Sequence, residues 1–285
     1  MVEFRISITL PYALQLEEGE YLTVPGGEGI AVSAPPGDTP RPQTAISAAF
    51  QRGDIPDPDE RHKARAQDAD RLLRRTNRLL RWYRAAGRQA DVTELTRALA
   101  SPFLFEAVSP GDLAGWLDPI IYEESAPEPH DLATGQITAA VRDGLAGGAD
   151  PRVDILFLLD AERAVLQGRF REAVLFCWST IDSVFNRKFD ALVDAALGEE
   201  WGQARDFFKG FDFGLRNKMT AGMRFVANRS LFAEPDNFWD RLSSSYAKRN
   251  AIIHRGENAS EDEARAAIQV AEAVVRIMNS VPAPD

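Results

Sequence analysis

Residues 248–256, Lys248-Arg249-Asn250-Ala251-Ile252-Ile253-His254-Arg255-Gly256, end one helix, and Ser260-Glu261-Asp262-Glu263 opens the next. Gly256 stands where a helix turns left-handed to finish, a conformation that costs glycine nothing. Ser260 and Glu263 have the three-residue spacing of a capping box, each side chain satisfying a backbone N–H of the first turn. Ahead of the stretch, Phe238, Trp239, Leu242 and Tyr246 mark one side of a helix over 237–253. Behind it, Ala264, Ala267, Ile268, Ala271, Val274, Val275 and Met278 recur at helical spacing. Two amphipathic helices joined by a short capped turn specify part of a helical bundle.

The pattern extends upstream to about residue 150. A helix over 155–166 pauses at Gly168 and resumes over 170–193, with Ala173, Val174, Phe176, Cys177, Ile181, Val184 and Phe185 in register. A further helix covers 215–227. No strand signal competes, so 150–285 reads as an all-α bundle.

The N-terminal part reads differently. Phe4, Ile6, Ile8 and Leu10 alternate with polar residues, the period of a half-buried strand. Short strands at 21–24 and 29–33 follow around Gly26-Gly27, which reads as a hairpin turn because it lacks the spacing and Lys-Ser/Thr of a phosphate loop. Residues 34–60, rich in Pro, Gly and Asp, read as a long connection. Its acids and His62 show no repeating ligand spacing, so they read as a helix-capping loop and no metal site is assigned. From Asp59 a helix sets Leu72, Leu73, Leu79, Leu80, Trp82 and Tyr83 beside Arg71, Arg74, Arg75, Arg78, Arg81 and Arg84. Arginines interleaved with aromatics can clamp a nucleic acid, and they can equally solvate a helix whose other face is core. A second helix is expected over 92–99 and a strand over 102–108. The organisation expected is therefore α+β: a β/α domain over 1–125, a linker and short helix over 126–149, and the bundle over 150–285.

Composition narrows the function. The net charge of −10 over 285 residues argues against broad nucleic-acid binding, which needs a basic surface. Residues 205–229 are the exception, with Arg205, Lys209, Arg216, Lys218, Arg224 and Arg229 against two acids. That excess reads either as a phosphate-backbone patch, with Arg216, Lys218 and Arg224 as contacts alongside Arg74 and Arg78, or as a solvated face. A single cysteine, Cys177, and a first segment without a signal-peptide pattern point to the cytoplasm. No run approaches the roughly 20 apolar residues of a spanning helix, so no membrane partner is expected.

Arg249-Asn250-x-x-x-His254 at the end of a penultimate bundle helix resembles the Arg-x(4–6)-His motif of the HEPN superfamily, particularly its Apea-like groups. The resemblance also rests on Gly168-Arg169-Phe170-Arg171-Glu172-Ala173 followed by Trp178-Ser179-Thr180-Ile181-Asp182, with Asp182 where glutamate is commoner, and on residues 239–246 leading into Lys248-Arg249-Asn250. It covers about residues 150–280 and says nothing of 1–125. The resemblance implies a homodimer with two Arg-His pairs in one cleft and metal-independent RNA cleavage, without cofactor, leaving a 2′,3′-cyclic phosphate and a 5′-hydroxyl. Catalysis would fall to Arg249, Asn250 and His254, supported by Asp182, Lys248 and Arg255. His254 can move the proton and Arg249 can stabilise developing phosphorane charge. The expected role is a defence or stress-response ribonuclease, a toxin-like activity with a regulatory partner or antitoxin. The alternative is a non-catalytic HEPN module for dimerisation or ligand sensing, and a third reading is a nucleic-acid-binding regulator. On an ideal helix residues 249 and 254 lie about 140° apart, so one pair alone is poorly focused.

Overall fold

A computed structural model describes residues 2–22, 29–33, 43–52, 55, 57–97, 103–107, 115–116, 133–210 and 213–282. The chain divides into two compact units, Met1–Pro151 and Arg152–Asp285. It is an α+β protein, with all the described strands in the first unit.

The first unit is built on an antiparallel sheet of six strands: β1 Val2–Leu10, β2 Gly19–Leu22, β3 Gly29–Ser33, β4 Thr44–Arg52, β5 Phe103–Ala107 and β6 Gly115–Trp116, in the order β2-β3-β4-β1-β5-β6. The strand read at the start of the chain is therefore central, paired with β4 in the register Ile6↔Ala48 and Ile8↔Ile46 and with β5 on its other side. Strand β4 corrects the reading of 34–60 as one long connection. Ile46, Ala48 and Phe50 do alternate inward, but three alanines make the run weakly strand-like, and pairing with β1 rather than propensity decides it. The Gly26-Gly27 turn lies outside the described residues.

Two helices cover the sheet. Helix α1, Pro58–Gly87, starts with Asp57 accepting from the Asp59 N–H at 2.9 Å and with proline in its first turn, as the capping-loop reading expected. Its Leu72, Leu79, Leu80 and Tyr83 share one core with Ile6, Ile8, Leu10 and Ile46. Helix α2, Thr134–Ala146, adds Ile137, Val141 and Leu145, all fully buried. It is thus part of the first unit's core, where the sequence placed it with a linker; the Pro-rich stretch before it lies outside the described residues. The helix expected over 92–99 is absent from 92–97. Asn77 takes both backbone groups of Leu95, its Nδ2 donating to the Leu95 carbonyl at 2.9 Å and its Oδ1 accepting from the Leu95 N–H at 2.7 Å. Those groups are then lost to an i→i+4 ladder, while Val92 and Leu95 are buried.

The second unit is all helical. Helices α3, Val153–Leu166, and α4, Phe170–Ala196, form a hairpin across Gly168, whose φ of +69° makes the turn. Helix α4 is central, and α9, Glu261–Ser280, packs along it through alanines: Ala173 faces the same core as Ala264, Ala267 and Ala271, all 1% exposed or less. At the start of α3 the buried Asp154 carboxylate accepts from Arg152 at 2.7 Å and from Arg187 of α4 at 2.9 Å. Helix α5, Gly202–Lys209, had no expectation. The helix read over 215–227 is three pieces, α6 Leu215–Asn217, a π-turn Lys218–Gly222, and α7 Met223–Ala227. Helix α8, Phe238–Arg255, ends at Gly256 with φ +67°, and both bonds of the Ser260–Glu263 capping box open α9. Among the described residues no helix is long and apolar enough to cross a membrane.

Candidate functional site

Two helices of the second unit each carry a stripe of functional side chains repeated every four residues. On α4 the stripe is Trp178, Asp182 and Asn186; on α8 it is Tyr246, Asn250 and His254, with Arg249 beside it. A spacing of four advances only about 40° around a helix, so each stripe stays on one face. Both faces line a cavity of about 620 Å³, together with Gly210, Gly214, Leu215 and Lys218. Trp178 locks the crossing. Its indole Nε1 donates to the Ser245 carbonyl at 3.2 Å and to Ser245 Oγ at 3.0 Å, and its ring lies 5.0 Å from that of Tyr246.

The Arg249 guanidinium donates through Nη1 to Asn250 Oδ1 at 3.0 Å. Among the described residues Arg249 forms no salt bridge, so its charge is not consumed by a direct carboxylate contact. Asp182 is close enough to feel it: burial pushes the Asp182 carboxyl above its ordinary range, and the Arg249 charge pulls in the opposite direction. Lys218 is buried on the π-turn, its Nζ donating to the Lys209 carbonyl at 2.6 Å. A π-turn inserts an extra residue per turn and re-aims what it carries, here placing Lys218 and Met219 inward together. His254 lines the cavity and is exposed to solvent. The cavity therefore presents two cations, one imidazole, two amides and one partly buried carboxyl to whatever enters.

Of the residues the sequence singled out, the fold brings together Arg249, Asn250, His254, Asp182 and Lys218. Two of the expected supporting residues point elsewhere. Lys248 binds Glu263 at 2.8 Å and the Asn258 carbonyl at 3.1 Å, tying α8 to the cap of α9, and Arg255 pairs with Glu257 at 2.8 Å. Lys248 precedes Arg249 by one helical step of about 100°, in the opposite sense from Asn250, and faces the α9 side.

The basic run 205–229 does not form one continuous patch. Arg205 and Lys209 converge on Asp194, Arg229 is held by Glu234 at 2.6 Å, and Lys218 is buried, which leaves Arg216 and Arg224 exposed. In the first unit Arg78 and Arg81 hold the segment after α2, Arg78 donating to the Ala149 carbonyl at 3.0 Å and Arg81 to Asp150 at 2.9 Å. Arg84 is buried and Arg74 is exposed. Sequence reasoning passed over Trp178, Asn186 and Tyr246 as site residues. The signal available was the four-residue repeat Trp178-Asp182-Asn186, which sets an aromatic, an acid and an amide on one face of the helix.

Compared with protein-family models, curated proteins and solved structures, the chain matches none.

Proposed function

We propose that the second unit is a HEPN-like bundle acting in the cytoplasm as a metal-independent endoribonuclease, with the Arg249–His254 cavity as its phosphodiester site. The observation that carries this reading is the convergence of Arg249, Asn250 and His254 with Lys218 and Asp182 in one cavity. In the reaction, the ribose 2′-oxygen attacks phosphorus and loses its proton to a base. The bond from phosphorus to the 5′-oxygen breaks, and that oxygen takes up a proton. The products are a 2′,3′-cyclic phosphate and a 5′-hydroxyl, with no water consumed. Neutral His254 serves as the base or its conjugate acid as the proton donor. Arg249, charged at every working pH, and Lys218 stabilise the extra negative charge that the phosphorane carries. In a two-fold homodimer one protomer's imidazole acts as base while its partner's acts as acid, which a single imidazole cannot do in the same step.

The test is cleavage of single-stranded RNA by the purified full chain in EDTA, wild type beside His254→Ala and Arg249→Ala, with product ends identified. Cyclic-phosphate ends from wild type, and rates at least about 10²-fold lower in both variants while they stay folded, are expected. A wild-type chain that leaves RNA intact, or a His254→Ala chain that cuts as fast, rules the nuclease out. Sedimentation at micromolar concentration reports the dimer. The excess of acid, net −10, favours one second reading, a non-catalytic dimerisation or ligand-sensing module, and it becomes the conclusion if wild type binds RNA without cutting it.

A further inference from the structure

Beside the Arg249–His254 cavity lies a second, smaller cavity of about 280 Å³. The two share Trp178, Leu215, Tyr246 and Asn250 in their walls. The rest of the smaller one is mostly apolar, walled by Trp239, Met219, Leu242 and Ala247 with Arg216 and Ser243, and none of its lining side chains is acidic. The Arg216 guanidinium lies 5.8 Å from the centroid of the Trp239 ring, and Phe232 meets that ring edge-on at 5.7 Å. Three large aromatic rings line the pocket, Trp178, Tyr246 and Trp239, with the Arg216 cation over the Trp239 ring, and together they form a stacking platform next to a cationic cavity suited to phosphate.

We propose that this pocket takes one unpaired nucleobase of the RNA whose phosphate occupies the Arg249–His254 cavity, an inference that rests on the reading of that cavity as a phosphodiester site. Every base offers a π-face to stack, so the platform selects for an unpaired base and not for a sequence. Bases held in a duplex are stacked on their neighbours and cannot enter without unpairing. Arg216 adds a cation–π contribution and a charge that a flanking phosphate can use. This assigns Arg216, an exposed residue of the basic run, to the pocket's base side and leaves the proton chemistry to His254. The substrate class that follows is single-stranded RNA, or an unpaired loop, carrying a stackable base beside the bond that is cut.

The test compares AMP with ribose 5-phosphate, which has the same phosphate and sugar but no base, by calorimetric titration into the full chain. AMP is expected to bind more tightly by about five- to 150-fold, the range for one stacked base. Trp239→Ala removes the platform, and Ser243→Trp fills the pocket from an exposed position on α8 without emptying the core. Each is expected to erase the difference between the two ligands and leave ribose 5-phosphate unaffected. If Trp239→Ala unfolds the chain, Ser243→Trp decides alone. Equal binding of the two ligands to wild type, no AMP binding at millimolar concentration, or a preference that survives Ser243→Trp overturns the pocket. Failure of the phosphate reading shows separately: Arg249→Ala would then leave ribose 5-phosphate binding unchanged.

Discussion

Arg249 and Asn250 are sequence neighbours whose side chains nonetheless bond to each other, Nη1 to Oδ1 at 3.0 Å. Adjacent residues on a helix ordinarily diverge by about 100°. The bond draws the long Arg249 side chain round toward the face of Asn250, which is also the face of His254 four residues on. Arg249 and His254, about 140° apart on an ideal helix, line the same cavity.

That relationship makes Asn250 a positioning residue for Arg249. On the proposed nuclease reading, Asn250→Ala is expected to lower kcat for RNA cleavage in EDTA by on the order of 10²-fold, the cost of a misplaced group of about 1 Å. KM should change less, because the charge itself remains. A variant with unchanged kcat would remove Asn250 from the mechanism.

Asp182 should oppose stability at neutral pH. Burial raises its folded pKa above the ordinary 3.8, so between 3.8 and the folded value the native state holds more protons than the unfolded chain. Stability then falls as pH rises through that window and stays lowered above it. Asp182→Asn is expected to gain about 1 kcal/mol at pH 7. The gain should vanish below pH 3.8, where both states of the wild type are protonated. Denaturation midpoints across that range measure it, and an Asn variant less stable at pH 7 would mean that the carboxylate is favourably held.

Asp154 has the opposite sign. Burial pushes its carboxyl up, but hydrogen bonds from Arg152 and Arg187, together with their charges, outweigh burial and hold it below its ordinary 3.8. Its contribution is present above pH 3.8 and is lost as pH falls through the lower folded value. Asp154→Asn is expected to cost about 1–3 kcal/mol at pH 7, less than a fully buried pair because both arginines are half exposed. The gap from wild type should close in acid, and a constant gap would assign the loss to packing.

Gly222 closes the π-turn against the core. A Cβ there would lie 2.8 Å from Phe189 Cζ and 3.0 Å from Phe213 Cε1. Replacing a helical glycine by alanine ordinarily gains up to about 1 kcal/mol. Here Gly222→Ala is expected to lose about 1–3 kcal/mol through overpacking and to disturb Lys218 on the same turn. Thermal unfolding decides between the two signs.

The long helices of the second unit were legible because each carries its own local instructions. Gly168 and Gly256 mark stops, Ser260 and Glu263 mark a start, and α4, α8 and α9 each carry an apolar period, whereas α5 and the π-turn inside 215–227 carry no such local mark. The central strand β1 was legible for the same reason. What local signals could not supply were β4 and the segment 92–97. Ala45, Ala48 and Ala49 have no strand preference until β1 lies beside them, and Val92 to Leu95 has a helical pattern until Asn77, far along the chain, takes its backbone bonds. The candidate site divides in the same way. Arg249, Asn250 and His254 could be read from one helix, since four residues define a face. Their meeting with Trp178, Asp182 and Lys218 depends on how α4, α8 and the π-turn cross, which long-range packing and the Trp178–Ser245 bonds determine. Sequence determines what hydrogen bonds and side chains within a turn of one another determine; the cavity is formed by groups brought together from three elements, and only tertiary packing can do that.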